Sequence, residues 1–239
     1  MARLAFFLAL VMTSAIILFS PVSSLQLVAT IGQVAGGSCG YTNFPPPLYM
    51  VTGFSEVIYR GGAMCGSCFR VQCFNDRNCI RGRAVNVMVT SICQSTNGTD
   101  VCNTGNMALN LDPRAWDLIV STRAVGSVPV AIYAVSCPQM VGGVQFNVSV
   151  ASVAYMQVLI QNVGGMGRLT QVFASADGVK FFPMYRNYGS VWAINNVNFL
   201  KRAVTFKLVD MNQRALTIPA ALPANWGLGG YITRQNWRV

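Results

Sequence analysis

Short runs in which apolar and polar residues alternate with period two recur along this chain, and glycine, proline, asparagine or serine bounds most of them. In the first half the pattern predicts strands over residues 25–30, 57–59, 69–73, 84–90 and 128–135. Phe69-Arg70-Val71-Gln72-Cys73 and the run 84–90 read as half-buried strands, because alternate side chains of a strand point to opposite faces. Residues 111–119 are the one helical stretch of this half: Asp112 can cap, Pro113 suits the first helical position, and Trp116 and Ile119 fall three apart. Beyond residue 143 the pattern predicts strands over 144–150, 156–161, 169–174, 181–185, 203–209 and 216–218, with turn residues between them and no helical period. That spacing reads as a β-sandwich, with Phe181 and Trp226 in its core.

The N-terminus changes what the remaining residues can do. Arg3 precedes an apolar run from Leu4 to Phe19, broken only by Thr13 and Ser14, and Pro21-Val22-Ser23-Ser24 offers small residues at a cleavage point. The run is short of the ~20 apolar residues a span needs, so residues 1–24 read as a secretory signal peptide and no membrane association is expected after its removal. Secretion places the eight cysteines in an oxidising compartment. Cys65-x-x-Cys68 has the spacing of a redox dithiol, and Cys65, Cys68, Cys73 and Cys79 together are a candidate zinc set. No βαβ setting accompanies the first, and the spacing lacks the paired arms of the second, so structural disulfides are expected and no metal or cofactor. Eight cysteines allow 105 pairings, and spacing alone does not choose among them. All eight lie between Cys39 and Cys137, which divides the mature chain into a stapled domain, 25–138, and an unstapled one, 139–239, joined by a linker at 138–143.

Charge follows the same division. Residues 25–138 hold seven arginines against five acids, whereas residues 139–239 hold nine lysines or arginines against Asp177 and Asp210. The basic residues are scattered singly and the chain is secreted, which argues against nucleic acid and for acidic cell-surface or wall polysaccharide. Asn97 and Asn147 each begin a glycosylation sequon, the first in a loop between Cys93 and Cys102, the second inside a predicted strand.

Several stretches resemble the plant expansins, most closely the α-expansin branch. They are Gly37-Ser38-Cys39-Gly40-Tyr41-Thr42-Asn43, Cys65-Gly66-Ser67-Cys68-Phe69-Arg70-Val71-Gln72-Cys73, Asn162-Val163-Gly164-Gly165-Met166-Gly167, the run from Met184 to Trp192, and Pro223-Ala224-Asn225-Trp226. The resemblance covers nearly the whole mature chain. It implies an all-β protein: a six-stranded double-psi β-barrel related to family-45 endoglucanases, then an immunoglobulin-like β-sandwich that binds cellulose. It also implies the pairing Cys39 with Cys65, Cys68 with Cys137, Cys73 with Cys79 and Cys93 with Cys102. The implied activity is loosening of non-covalent wall contacts without hydrolysis, by a monomer whose partners are cellulose and matrix polysaccharides.

The chain departs from the family in the groove of the first domain. The family's H-F-D motif, whose Asp corresponds to the catalytic acid of the endoglucanases, is Ala108-Leu109-Asn110 here. An amide cannot act as a general acid, so no catalytic residue is expected at Asn110. Asp112 is the substitute a shifted alignment would offer, and a helix cap otherwise. The family's T-F-Y-G is replaced by Ala29-Thr30-Ile31-Gly32, and its T-N-F-C-P by Thr90-Ser91-Ile92-Cys93-Gln94. In the second domain the positions matching the family's polysaccharide platform are Tyr155, Tyr188 and Trp192, with Lys180, Arg186 and Lys201 as candidates to meet acidic polymers.

Overall fold

The computed structural model describes residues 24–32, 34, 37–41, 50–93, 101–103, 105–137 and 142–237. The signal peptide, Pro45-Pro46-Pro47, the Asn97 sequon and most of the linker lie outside them. Among the described residues no helix is long and apolar enough to cross a membrane.

Among the described residues six strands form the first domain: β1 (Leu25–Ile31), β2 (Met50–Phe54), β3 (Cys68–Cys73), β4 (Val85–Ile92), β5 (Ala108–Leu111) and β6 (Ser127–Val135). They close a barrel in the order β1-β5-β2-β4-β3-β6, in which β1 with β5 and β2 with β4 are parallel and the other pairs antiparallel. Closure leaves no free edge, and alternate residues of every strand point inward. Ala29, Phe54, Val71, Val89, Leu109, Leu111 and Val130 fill the interior with almost no exposure. The strand expected at 57–59 is instead a single helical turn, α1 (Glu56–Tyr59), which buries Ile58 and Tyr59 and whose Ile58 and Tyr59 amides donate to the Ser55 carbonyl. Its three residues carry a β-like composition, but the sheet position is taken by β2 immediately before them.

The helix α2 (Pro113–Ile119) starts where capping chemistry puts it. Asp112 Oδ1 accepts from the Arg114 amide at 2.8 Å and from Arg114 Nε at 3.1 Å. Pro113 occupies the first turn, where a missing N–H costs nothing. Trp116 and Ile119 are fully buried against the barrel. We expect Asp112→Ala to destabilise the domain by about 1 kcal/mol through loss of the cap, measured as a shift in urea midpoint; Asp112→Asn retains an acceptor and will lose less.

The four disulfides join Cys39 to Cys65, Cys68 to Cys137, Cys73 to Cys79 and Cys93 to Cys102. They staple the loops between strands, where a helix-poor domain has little other cover.

Eight strands form the second domain: β7 (Gln145–Ala151), β8 (Tyr155–Gln161), β9 (Leu169–Ser175), β10 (Phe182–Tyr188), β11 (Val191–Asn195), β12 (Val204–Asp210), β13 (Ala215–Leu222) and β14 (Gly229–Ile232). Their hydrogen-bonded order is β13-β12-β9-β10-β11-β8-β7-β14. The ribbon folds over at β10, whose first half, Phe182 to Met184, pairs with β9 and whose second half, Tyr185 to Tyr188, pairs with β11. Two sheets thus face each other as a sandwich. Phe146 of β7 stacks on Phe206 of β12 at 4.6 Å between ring centroids, and Val158, Ile160, Trp192, Leu208 and Ile218 complete the layer between them. Trp226 belongs to this core and its indole N–H donates to the Arg202 carbonyl at 2.9 Å. Phe181 is only half-buried; the neighbouring Phe182 packs on the core instead.

The two domains meet through backbone as well as through side chains. The Ser190 amide donates to the Cys39 carbonyl at 2.9 Å, and the Cys137 amide to the Gly165 carbonyl at 2.7 Å. Glycine makes this approach possible: Gly62 lies on Gly189, and Gly66 on Gly167, so closely that a Cβ on any of the four would collide with backbone.

Candidate functional site

One face of the sheet β10-β11-β8-β7-β14 points away from the core, and pairing register decides what it displays. Directly paired residues of antiparallel strands share a face. Tyr185 pairs with Ala193, which pairs with Gln157, so these three lie in one row. Tyr155 pairs with Asn195 on the same face. Tyr188 pairs with Val191, two residues from Ala193, because the register shifts between Arg186 and Tyr188. That bulge brings Tyr185 and Tyr188 to the same surface although they are three residues apart, an odd spacing that would otherwise separate them. Both are close to half exposed, at 45% and 48%.

Gln157 fixes the centre of this surface. Its Oε1 accepts from the Tyr155 hydroxyl at 3.0 Å and from Asn187 Nδ2 at 2.8 Å, while its Nε2 donates to Ser149 Oγ at 2.9 Å. Burial, then the Tyr185 hydroxyl through charge and a hydrogen bond, then Tyr188, hold Tyr155 above the usual phenol range. The three tyrosines are therefore one cluster. At its end Tyr188 meets the first domain, where it lies beside Gly40 together with Val191 and Leu159.

Trp192 is not part of this surface. It pairs with Val158 on the core face and is only 3% exposed. The Arg186 guanidinium stacks over its ring at 4.4 Å. Nor does Arg186 offer a free cation: its Nη2 donates to the Leu169 carbonyl at 2.6 Å, its Nη1 to the Gly189 carbonyl, and burial pushes its pKa down to about 10. Lys180 lies over the Phe182 ring at 5.0 Å, and Lys201 is exposed in a turn. The alternation of Val191, Ala193 and Asn195 against Trp192 and Ile194 is the sequence signal that separates the two faces. Tyr185 is the exposed tyrosine of this face that sequence reasoning missed, since only the bulge reveals it.

In the barrel, Asn110 pairs with Thr30 on one side and Gly53 on the other. Its Oδ1 accepts from the Gly53 amide at 2.9 Å, and its Nδ2 lies against Gly32. The amide is a fitted part of the barrel wall. Asp112 caps α2 and pairs with Arg114, so its carboxylate is committed to that helix. Asn147 stands in mid-sheet, paired with Leu159 and Gly230.

Where the domains join, Tyr41 Oη accepts from Ser190 Oγ at 2.7 Å, and the Tyr59 hydroxyl lies 3.3 Å from Cys65 Sγ. Burial raises both phenols to about 12. These groups are neutral, hydrogen-bonded supports of the seam.

Solved expansin structures share this fold. The apo expansin of Clavibacter michiganensis superimposes with a TM-score of 0.67 at 20% identity, covering 89% of this chain and 96% of that one. A mutant of that expansin in complex with cellohexaose gives 0.68 at 20% identity, covering 91% and 100%. The family model for the expansin C-terminal domain matches residues 144–223. Among curated relatives, Expansin-A10 of Oryza sativa subsp. japonica is 32% identical over 84% of this chain and 80% of its own length, and Expansin-A13 of Arabidopsis thaliana 31% identical over 82% and 76%. The chain belongs to the expansin family, and its relatives place it with the A-type, α-expansin branch.

Proposed function

We infer that the protein is secreted to the cell wall, binds cellulose or an associated glucan on its second domain, and loosens non-covalent polysaccharide contacts as a monomer without hydrolysis. The observation that carries this reading is the tyrosine cluster, Tyr155, Tyr185 and Tyr188, on one face of the sheet with the amides of Gln157 and Asn187 among the rings. Sugar rings stack their apolar faces on aromatic rings while amides meet their hydroxyls. A solved relative holds cellohexaose. The non-hydrolytic part is supported by Asn110, which cannot supply a proton, and by the commitment of Asp112 to α2. Acidic matrix polymers are further partners, favoured by the formal net charge of +10.

The test is constant-load extension of heat-inactivated wall strips. The native protein is expected to induce creep with no release of reducing ends, and Asn110→Asp is expected to release none either, because one added carboxyl does not make the pair a glycosidase needs. Creep is expected to vary little between pH 7 and pH 4.5. The chain has no histidine, and the carboxylate with the largest resolved displacement, Asp177, is held down to about 2 by the Val179 and Lys180 amides and Ser175. A depressed carboxylate gives stability that is complete above its unfolded value near 4 and is lost as pH falls toward 2, below this window. A steep rise toward pH 4.5 would contradict the reading. Creep that appears only in Asn110→Asp, with cellulose binding equal in both, would favour a wall-binding protein without loosening activity, a reading to which the amide at position 110 already lends weight.

A further inference from the structure

The barrel carries a second, electrostatically distinct surface beyond the far end of β3. Cys68 at the start of that strand is disulfide-bonded to Cys137 at the domain seam, and Cys73 lies about 17 Å further along at ordinary strand rise. From there the chain turns through a loop closed by Cys73–Cys79. The loop is held from outside as well, by the Ile80 amide donating to the Ile119 carbonyl at 2.9 Å and the Ser121 amide to the Asn78 carbonyl at 2.8 Å.

Residues 70–83 contain Arg70, Arg77, Arg81 and Arg83 against the single carboxylate of Asp76. All four arginines are exposed. Arg114 and Arg123 of the barrel are paired with Asp112 and Asp117, whereas none of these four has an ion pair among the described residues. Asp76 is occupied locally: its Oδ1 accepts from the Asn78 amide at 2.8 Å and from Asn78 Nδ2 at 2.9 Å. Arg77 and Arg81 line a pocket of about 500 Å3, with Asp76 at its wall and with Phe74, Gln72 and Asn75. Arg70 projects from the same face of β3 as Gln72, two residues away, so the basic surface continues out of the pocket along the strand.

A rigid pocket of this size suits one or two sugar rings. Phe74 offers an apolar contact, Gln72 and Asn75 offer amides, and the paired guanidiniums require an anion; planar guanidinium forks match carboxylates in bidentate geometry. We propose that this pocket binds a uronate unit of an acidic polysaccharide, with Arg77 and Arg81 on its carboxylate and Arg70 and Arg83 on flanking units. The proposal rests on the wall-polysaccharide reading for the class of its partner, and names a site separate from the tyrosine platform.

The test measures binding of the mature protein to soluble polygalacturonate and its retention on crystalline cellulose in the same buffer. Arg77→Gln/Arg81→Gln is expected to weaken polygalacturonate binding at least tenfold and leave cellulose retention unchanged, which also reports that the variant is folded. A charge-matched control, Arg202→Gln/Arg234→Gln, both exposed on the second domain, is expected to change polygalacturonate binding less than twofold. Parent-like binding by the Arg77/Arg81 variant, or an equal loss in the control, would overturn the site. Equally tight binding of dextran sulfate, lost in the same variant, would overturn the uronate assignment. Failure of the parent to bind cellulose while these differences persist would count against the platform alone.

Discussion

A Tyr185→Ala/Tyr188→Ala double variant is expected to bind crystalline cellulose roughly thirtyfold more weakly than the parent, with little change in melting temperature. Each ring is about half exposed and stands on the outward face of the sheet, so truncation spares the core and gives up only the Tyr188 contact beside Gly40. A stacked aromatic contact contributes about 1 kcal/mol beyond its buried area, and two such losses compound to about 2 kcal/mol, which is where the thirtyfold comes from. Tyr155→Ala should cost binding too, but it also releases Gln157 from the Tyr155 hydroxyl, so its effect mixes contact with support. Trp192 makes the contrast. Buried at 3% exposure in the sandwich core, it is expected on truncation to alanine to destabilise by about 3 to 5 kcal/mol, and Trp192→Phe to keep binding within twofold. Retention assays on cellulose beside thermal melts distinguish these outcomes. Strong loss of binding in Trp192→Phe, with Tyr185→Ala/Tyr188→Ala unaffected, would move the platform to the other side of the sheet.

The division of that sheet into a buried and an outward face shows how far the sequence could be read. The pattern located six of the eight strands of the sandwich, β11 and β14 being missed, because one face of each meets the core and the other meets water. It fails at β10, where the register shift between Arg186 and Tyr188 changes which residues share a face; parity counting then hides Tyr185. It also missed β11, whose Val191, Trp192, Ala193 and Ile194 are all buried, two by the core and two beneath the outer surface. The barrel was harder. β2 and β5 are short, buried on both sides and defined by parallel partners far away in the chain, so no local alternation marks them. Asp112, by contrast, was legible as a cap because capping is a local event: carboxylate, proline and helix occupy consecutive residues. Asn110 could be named as a lost acid from its motif, but its engagement with the Gly53 amide is a property of paired strands. The arginine cluster at 70–83 was present in the sequence and obscured by averaging, since the first domain as a whole sets seven arginines against five acids.

The seam between the domains should be the most sensitive place in the molecule, and Gly189→Ala the substitution that exposes it. Gly189 sits at φ +49°, in the left-handed region, and a Cβ there would lie 2.6 Å from the Cα, carbonyl carbon and oxygen of Cys39. Backbone cannot rotate out of the way as a side chain can, and Cys39 is held by its bond to Cys65. The Ser190 amide, donating to the Cys39 carbonyl, and the Ser190 hydroxyl, donating to Tyr41, would have to give with it. Strained φ and overpacking together are expected to destabilise by about 2 to 4 kcal/mol, a fall in melting temperature of roughly 6 to 12 °C for a chain of this size. Gly178→Ala is the control: its φ is +74° and a Cβ there meets nothing within 4 Å, so it carries only the backbone strain of about 1 to 2 kcal/mol. Calorimetry is expected to show the parent's transition broadened or split in Gly189→Ala, because barrel and sandwich no longer stabilise each other. Cellulose retention should survive, since the tyrosines stand on strands of the sandwich, whereas wall extension should fall sharply, because a platform that holds the glucan no longer holds the barrel against it. Equal melting temperatures for the two glycine variants, with extension intact in both, would show that the backbone seam contributes neither stability nor force.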